Sequence, residues 1–364
     1  MSRVNRSLLA VAVVAAVGAV SIARSTAAPA APRVVAAPTP STAELIGQRL
    51  VVAMRGKRPS PALLGRIRRG EIGGVILFGF NIASQSQLRA LTAELQNAAR
   101  AAGRPPLLIA TDQEGGRVRR VPWAGPLASA TELGESSGTR IRAQARLAGR
   151  ALRAGGINVD LAPVADVPGP GSFMAADDRT FGPSGTAVAG AVGAFTQGLA
   201  DARVAAAAKH FPGIGRATRN TDSSLVEIPA SRDALDGDLA PFRTAIGAGV
   251  PLVMISNASY PALDSKPAPW SSRIQSLLRN ELGFQGVTIT DALDGAAATR
   301  RRSLQSVAVL SAQAGVDVLL FTGSEASSAA AFEHIETAAL KGRIPAPALR
   351  RSYDRILALK QAYG

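Results

Sequence analysis

The 364-residue chain contains no cysteine. Disulfides, thiolate metal ligands and a cysteine nucleophile are therefore excluded. Histidine is nearly absent too: His210 and His334 are the only two, which argues against a histidine-based metal site. Aromatic residues make up 4% of the chain, so its core must come mostly from Ala, Val, Leu and Ile. That suits a helix–sheet protein better than an aromatic-rich β-sandwich. Acidic residues are in deficit, 26 against 41 Lys and Arg, and the net charge is +15. The excess is spread along the chain without an aromatic-interleaved basic motif or a prominent basic helix, so no nucleic-acid partner is expected. The charge fits solubility or attraction to an anionic surface such as a cell wall.

Long apolar runs are also missing. The longest, "LLAVAVVAAVGAVSIA", falls short of the ~20 residues of a comfortable membrane span. It follows the basic "MSRVNRS" and precedes "RSTAAPAAP", whose small residues suit cleavage near Ala27 or Ala28. Residues 1–28 read as a signal peptide for export, with an uncleaved membrane anchor as the alternative. The lack of a cysteine after the run excludes a lipid-anchored form. Residues 29–41, rich in Ala and Pro, read as a disordered linker.

What is present, from residue 42 to residue 364, is an alternation of short apolar runs and longer helix-like segments. The runs are "RLVVAM", "GGVILFG", "PPLLIATD", "NVDLAPVAD", "VAAAAKHF", "PLVMISN", "GVTITD" and "VDVLLFTG". Several are apolar on both faces, as a parallel strand buried between layers requires. Segments such as "SQSQLRALTAELQNAARAAG", "TRIRAQARLAGRALRAGG", "DALDGDLAPFRTAIGAG", "SRIQSLLRNELG" and "RSLQSVAVLSAQAG" read as helices, many stopping at Gly. Eight such units predict a single-domain α/β fold, a (β/α)8 TIM-like barrel. An open doubly wound sheet is the alternative, disfavoured by the lack of an early G-x-G-x-x-G turn.

A barrel carries its functional side chains at the C-terminal ends of its strands. Polar groups fall there: Thr111-Asp112, Asp166, Lys209-His210, Ser256-Asn257 and Thr290-Asp291. Asp291, ending an apolar strand, suits a nucleophile or general base; a helix cap is the plainer reading. Asp112, in "TDQEGGRVRR", and the Arg residues near it could hold sugar hydroxyls or close a salt-bridged turn. Arg179, in "DDRTFG", reads equally as an ion pair or a ligand clamp. Lys209 needs a charged or hydroxylated partner if buried. His210 reads as a hydrogen-bonding group, and His334 as a solvent-facing residue on a late helix. "NAS" at 257–259 matches a glycosylation sequon, but its place at a strand end marks it as coincidence.

The blocks "GGVILFGFNI", "TDQEGGRVRR", "DLAPVADV", "DDRTFG", "KHFPGIG", "YPALD", "LRNELGFQGVTITDAL" and "AGVDVLLF" resemble, in order, those of glycoside hydrolase family 3. They are most similar to its single-domain bacterial β-N-acetylhexosaminidases. The resemblance implies a (β/α)8 barrel, a carbohydrate substrate containing N-acetylglucosamine, retention of configuration and no cofactor or metal. It makes Asp291 the nucleophile and Asp112, Arg120, Arg179, Lys209 and His210 binders of the first sugar. One block departs from the family. After "KHFPG" those enzymes carry Asp-Ser-His, with the histidine as acid/base; here the loop reads "IGRATRNTDSSLVEIP", with Ser224 in that place. A serine alkoxide is too basic to serve. Asp222, raised by burial under a closed loop, is the replacement expected here, and Glu227 is a lesser candidate.

The expectation is thus a secreted, monomeric, retaining β-N-acetylhexosaminidase acting on peptidoglycan- or chitin-type fragments. The alternatives are a sugar-binding barrel that has lost its acid/base group, and a β-glucosidase or β-xylosidase of the same family.

Overall fold

Seven of the eight apolar runs become strands close to their expected places. In chain order the barrel strands are β1 (Leu50–Ala53), β2 (Gly74–Ile76), β3 (Leu108–Thr111), β4 (Val159–Asp160), β5 (Ala205–Phe211), β6 (Leu252–Ile255), β7 (Val287–Thr290) and β8 (Leu319–Phe321). All pair in parallel, in the order β8-β1-β2-β3-β4-β5-β6-β7. The two outer strands meet: Thr290 N–H donates to Val318 O at 2.9 Å and Val318 N–H to Thr288 O at 2.8 Å. The sheet is therefore a nearly closed barrel. This computed structural model describes residues 39–364 apart from Arg301, together with Ala10, Ala12, Ala15 and Gly18. The signal segment and most of the linker read from the sequence lie outside the described residues.

Alternation along each strand builds two cores. Val51, Ala53, Ile76, Ala110, Ala207 and Met254 fill the barrel interior. Leu50, Val52, Val75, Ile109, Ala208 and Ile255 face outward and pack with the helices. The C-terminal helix Ala346–Tyr363 sends Ile356 and Leu359 into the interior cluster and closes the end of the barrel opposite the strands' C-termini. Serines cap many of the helices. Ser60, Ser84, Ser137, Ser184 and Ser303 each accept a hydrogen bond from a first-turn N–H. The helices Gly138–Ala154 and Gly185–Asp201 touch closely at Gly198, where a Cβ would lie 2.4 Å from Arg142 O.

Three expectations are corrected. The fourth run forms a strand only over Val159–Asp160, because Pro163 cannot donate to the ladder. "DALDGDLAPFRTAIGAG" divides into Arg232–Asp238 and Ala240–Gly247, with Pro241 opening the second helix. "SRIQSLLRNELG" begins as an α-turn, Ser272–Ser276, and widens into a π-type turn over Leu277–Glu281. A helix at Thr42–Gly47 and a hairpin pairing Gln113–Gly115 with Val118–Arg119 were not expected. Among the described residues no helix is long and apolar enough to cross a membrane.

Candidate active site

The C-terminal ends of the strands surround a cavity of about 480 Å³. Apolar side chains of the barrel interior, including Ile76, Met254 and Leu320, form part of its lining, and polar groups the rest. Every residue named from the sequence as a binder or catalyst of the first rank lines it: Asp112, Arg120, Arg179, Lys209, His210, Asp222 and Asp291.

The hairpin after β3 presents the first group. Gln113 is buried and acts as a peg: its side-chain amide donates to Ala124 O at 2.8 Å and its Oε1 accepts from Val121 N–H at 2.9 Å. Asp160, at the end of β4, accepts from Gln113 N–H at 2.9 Å. Gly115 is needed at the turn, since its φ is +112° and a Cβ there would meet Ala128 O at 2.4 Å. With the peg and turn in place, Asp112, Glu114 and Arg120 all face the cavity.

The strand β5 presents the second group. Its pairing with β6 shifts register between Ala208 and Phe211, which interrupts the alternation of side chains. The adjacent Lys209 and His210, joined by a cis peptide bond, both line the cavity.

These groups form one ion network. Lys209, 2% exposed, places Nζ 2.7 Å from Asp112 Oδ1 and 2.7 Å from Glu114 Oε1. Arg179 grips Glu114 with two bonds of 2.8 Å each, the fork geometry that a guanidinium supplies. Burial pushes the Lys209 ammonium down, but Asp112 and Glu114 outweigh it and hold the group above its usual range. Burial likewise pushes Glu114 up, and the Lys209 and Arg179 charges override it, leaving the carboxyl well below the usual range. Both ions therefore stay charged. His210 Nδ1 bonds Asp166 Oδ2 at 2.8 Å, and Asp166 Oδ1 accepts from Ile214 N–H at 2.7 Å. With Nδ1 so engaged, Nε2 is the ring nitrogen left for a ligand. Arg120 has a buried Nε without a hydrogen-bond partner among the described residues.

Asp291 follows β7. Its N–H donates to Ile255 O and its Oδ1 accepts from Ala292 N–H, both at 2.8 Å. The carboxyl keeps a window onto the cavity but is otherwise surrounded by protein. Desolvation pushes its pKa up, His210 pulls it down, and Asp222 pushes it up again; the net shift is upward. Asp222 sits close enough to act because its loop is docked. Asp222 O and Thr221 O accept from Ala296 N–H (2.9 Å) and Ala297 N–H (3.1 Å), the start of the helix that follows Asp291. Asn220 Oδ1 accepts from Asp222 N–H at 2.9 Å.

Two expectations about the loop meet corrections. Asp222 lines the cavity from its rim with an exposed side chain, so the burial called for in an acid/base replacement is absent in this structure. Glu227 does not line the cavity. Backbone bonds between Ile228 N–H and Ser259 O (2.9 Å) and between Ser259 N–H and Val226 O (3.0 Å) hold its stretch as a bridge, and its side chain is exposed. His334 is exposed on the helix Glu325–Leu340. Asn257 is buried and donates to Ala292 O at 2.7 Å, so its amide is not open to glycosylation in the folded chain.

Glu114, the centre of the ion network, was not singled out from the sequence. Its signal was the two-residue spacing from Asp112, which puts both on one face of an extended segment. Asp294 also lines the cavity, tied to Thr322 Oγ1 at 2.6 Å. Among the described residues no three carboxylates or imidazoles are placed to hold a metal ion; the space between Asp112 and Glu114 is taken by Lys209.

A parallel barrel whose mouth gathers carboxylates, guanidinium groups, an ammonium and an imidazole around a small cavity defines an enzyme-like site for a polar ligand. Residues 41–359 match the N-terminal domain of glycosyl hydrolase family 3, and the chain belongs to that family. It is 38% identical over 327 residues to a secreted glycosyl hydrolase of Arthroderma benhamiae, covering 86% of this chain and 92% of that one. It is 36% identical over 303 residues to a beta-hexosaminidase of Alkalilimnicola ehrlichii, covering 79% and 84%. Among solved structures, a family 3 beta-N-acetylglucosaminidase from Paenibacillus superposes with a TM-score of 0.86 at 34% identity, over 89% of this chain. The present chain spans 63% of that longer protein.

Proposed function

We propose that the protein is a retaining β-N-acetylhexosaminidase that releases terminal N-acetylglucosamine from peptidoglycan- or chitin-type fragments. The observation that carries the reading is the shared cavity: Asp291 opens onto the same 480 Å³ space as the network of Asp112, Glu114, Arg179 and Lys209. The relatives named as hexosaminidases support the choice of sugar.

In this reading Asp112, Lys209, Arg179, Arg120 and His210 take the hydroxyl and amide groups of the terminal ring, donors and acceptors alternating around its edge. Asp291 attacks the anomeric carbon as the carboxylate, forming a glycosyl ester as the C–O bond to the leaving group breaks. Ala292 N–H holds one carboxylate oxygen and leaves the other for attack. Asp222 gives its proton to the departing oxygen. It then takes one from the water that attacks the same carbon, so two inversions retain configuration. A sugar seated in the mouth would exclude water from the rim that Asp222 occupies. The chain is further proposed to act as a monomer outside the cytoplasm, with residues 1–28 as an export signal, 29–41 as a linker and 42–364 as the catalytic domain. Its +15 charge favours an anionic wall.

A second reading, a sugar-binding barrel with impaired catalysis, is favoured by the absence of a histidine from the loop between Gly213 and Ala230 and by the exposure of Asp222. Trapping separates the two. A 5-fluoro-N-acetylglucosaminyl fluoride should add one glycosyl group to the peptide containing Asp291, and none in Asp291→Asn. A protein that binds the sugar without acquiring the label is a binder, and a label on any other residue removes Asp291 as nucleophile.

A further inference from the structure

The wall of the cavity nearest β2 continues outward as a pair of stacked aromatic rings. Phe78 lines the cavity. Phe80 lies against it with ring centroids 5.5 Å apart and planes inclined by 16°, and it is 55% exposed. Exposing a phenylalanine forfeits the burial that normally places this residue type in a core. No other aromatic residue is among the large apolar side chains left exposed in the described residues.

The backbone beneath the pair is fixed. Phe78 N–H donates to Asn81 Oδ1 at 2.9 Å, and Asn81, wholly buried, sends its amide to Met54 O at 3.2 Å and Gly56 O at 2.6 Å. Gln87 Nε2 donates to Asn81 O at 3.0 Å. A Cβ on Gly79, between the two rings, would have only Arg120 O nearby, at 3.8 Å. The turn thus sits beside Arg120, which lines the cavity. An apolar surface held this firmly loses little freedom on meeting a ligand.

We infer that Phe78 and Phe80 form an aromatic platform for a second pyranose ring, the one on the leaving side of the scissile bond. The inference rests on the reading of the cavity as the seat of a terminal N-acetylglucosamine. Its chemistry is separate from that of the ion network. A β-linked hexopyranose in its chair form carries its polar substituents around the edge and axial C–H groups on its faces. The first ring, enclosed by Asp112, Lys209 and Arg179, is held by its edge. A ring beyond it meets solvent at its edge and offers a face, which an open phenyl ring matches by apolar contact. The substrate class is therefore a glycan of at least two pyranoses, and the platform reads the second one by shape.

The test measures binding by calorimetry in the full chain carrying Asp291→Asn, which prevents turnover. The ligands are N-acetylglucosamine, its β-1,4-linked disaccharide, and a disaccharide whose second ring bears a 3-O-lactyl ether. With Phe80 in place a disaccharide should bind roughly 10-fold more tightly than the monosaccharide, about 1.4 kcal/mol for one aromatic contact. Phe80→Ala should bring the ratio near one, and Phe80→Tyr should keep it. The larger gain of the two disaccharides identifies chitin-type or wall-type glycan as the source. Monosaccharide binding with a disaccharide gain that Phe80→Ala leaves intact, or with no gain at all, overturns the platform alone. Failure of every sugar to bind overturns the reading of the cavity and the platform with it.

Discussion

Both ends of the barrel bury charge, but they leave it in different states. At the closed end Asp317, fully buried, accepts from Arg279 Nη2 (2.6 Å), Arg355 Nη2 (2.6 Å), Ser352 Oγ (2.8 Å) and Thr288 N–H (2.9 Å). Arg49 spends its guanidinium on the carbonyls of Val316 (2.6 Å) and Asp317 (3.0 Å). These bonds tie β7, the entry to β8 and the C-terminal helix into one unit. At the open end the pairs are as short, yet the same side chains line a cavity. Asp291 accepts one hydrogen bond and Arg120 Nε has no partner among the described residues. Bonding capacity is used up where the charge holds structure together and kept back where a ligand can take it. Salt bridges alone do not distinguish the two ends; the bonding capacity left on Asp291 and Arg120, against the filled carboxylate of Asp317, does.

Neutralising one aspartate at each end gives the sharpest test of that contrast. Asp291→Asn should lower turnover of an aryl N-acetylglucosaminide on the order of 10⁴-fold or more. Its melting temperature should stay at or above the parent's, because burial already disfavours that charge in the folded state. Asp317→Asn should do the reverse. It leaves Arg279 and Arg355 without a carboxylate and should cost about 3–5 kcal/mol of unfolding free energy in denaturant titration. Activity per folded molecule should be unchanged. A stability loss at Asp291 with activity kept, or the opposite at Asp317, would show that the two ends are not specialised in this way.

The next effect is smaller and lies within the open end. Asp222→Asn should slow cleavage of a disaccharide by about 10²-fold, while a dinitrophenyl glycoside, whose leaving group needs no proton, slows by less than about tenfold. An equal loss on both substrates would make Asp222 a residue that positions Asp291 through the docked loop. Undiminished cleavage of the disaccharide would remove Asp222 from the reaction.

What could be read in advance follows the same division. Strand runs and the polar residues that end them are local patterns, so Asp112, Lys209, His210 and Asp291 were legible one strand at a time, and the barrel order placed them together. Glu114 was passed over because a hairpin, not a strand end, presents it, and the hairpin depends on the buried peg of Gln113. Glu227 was misplaced because its backbone pairs with Ser259, a contact between chain segments that no local pattern reveals. The place of Asp222 at the cavity rim could not be read locally, because it depends on the bonds from Ala296 and Ala297 N–H to the carbonyls of Asp222 and Thr221. The closed end was illegible for the same reason. Asp317 gathers partners from four distant segments, and nothing near Lys360 in the chain announces that it is buried.

Lys360 offers the last and smallest test, at the closed end. It is 2% exposed, and its ammonium donates to Gln48 Oε1 at 2.5 Å and Gly73 O at 2.8 Å, both neutral acceptors. Without a carboxylate to oppose it, burial pulls the group down to about 7 from the ordinary 10.5. The sign of the consequence is the reverse of that for a lysine held by an ion pair. Below the folded value both states carry the proton and the cost of burying it is constant. Above it the folded chain releases the proton while the unfolded chain keeps it, so stability rises with pH at about 1.4 kcal/mol per unit. The rise ends near the ordinary value, where both states are neutral. Between about pH 7.5 and 9 the parent should therefore gain about 2 kcal/mol relative to Lys360→Met, read from urea midpoints at constant ionic strength. Parallel curves for the two proteins would mean that Lys360 keeps its proton when folded, and that the closed end holds an uncompensated charge as readily as the open end holds a paired one.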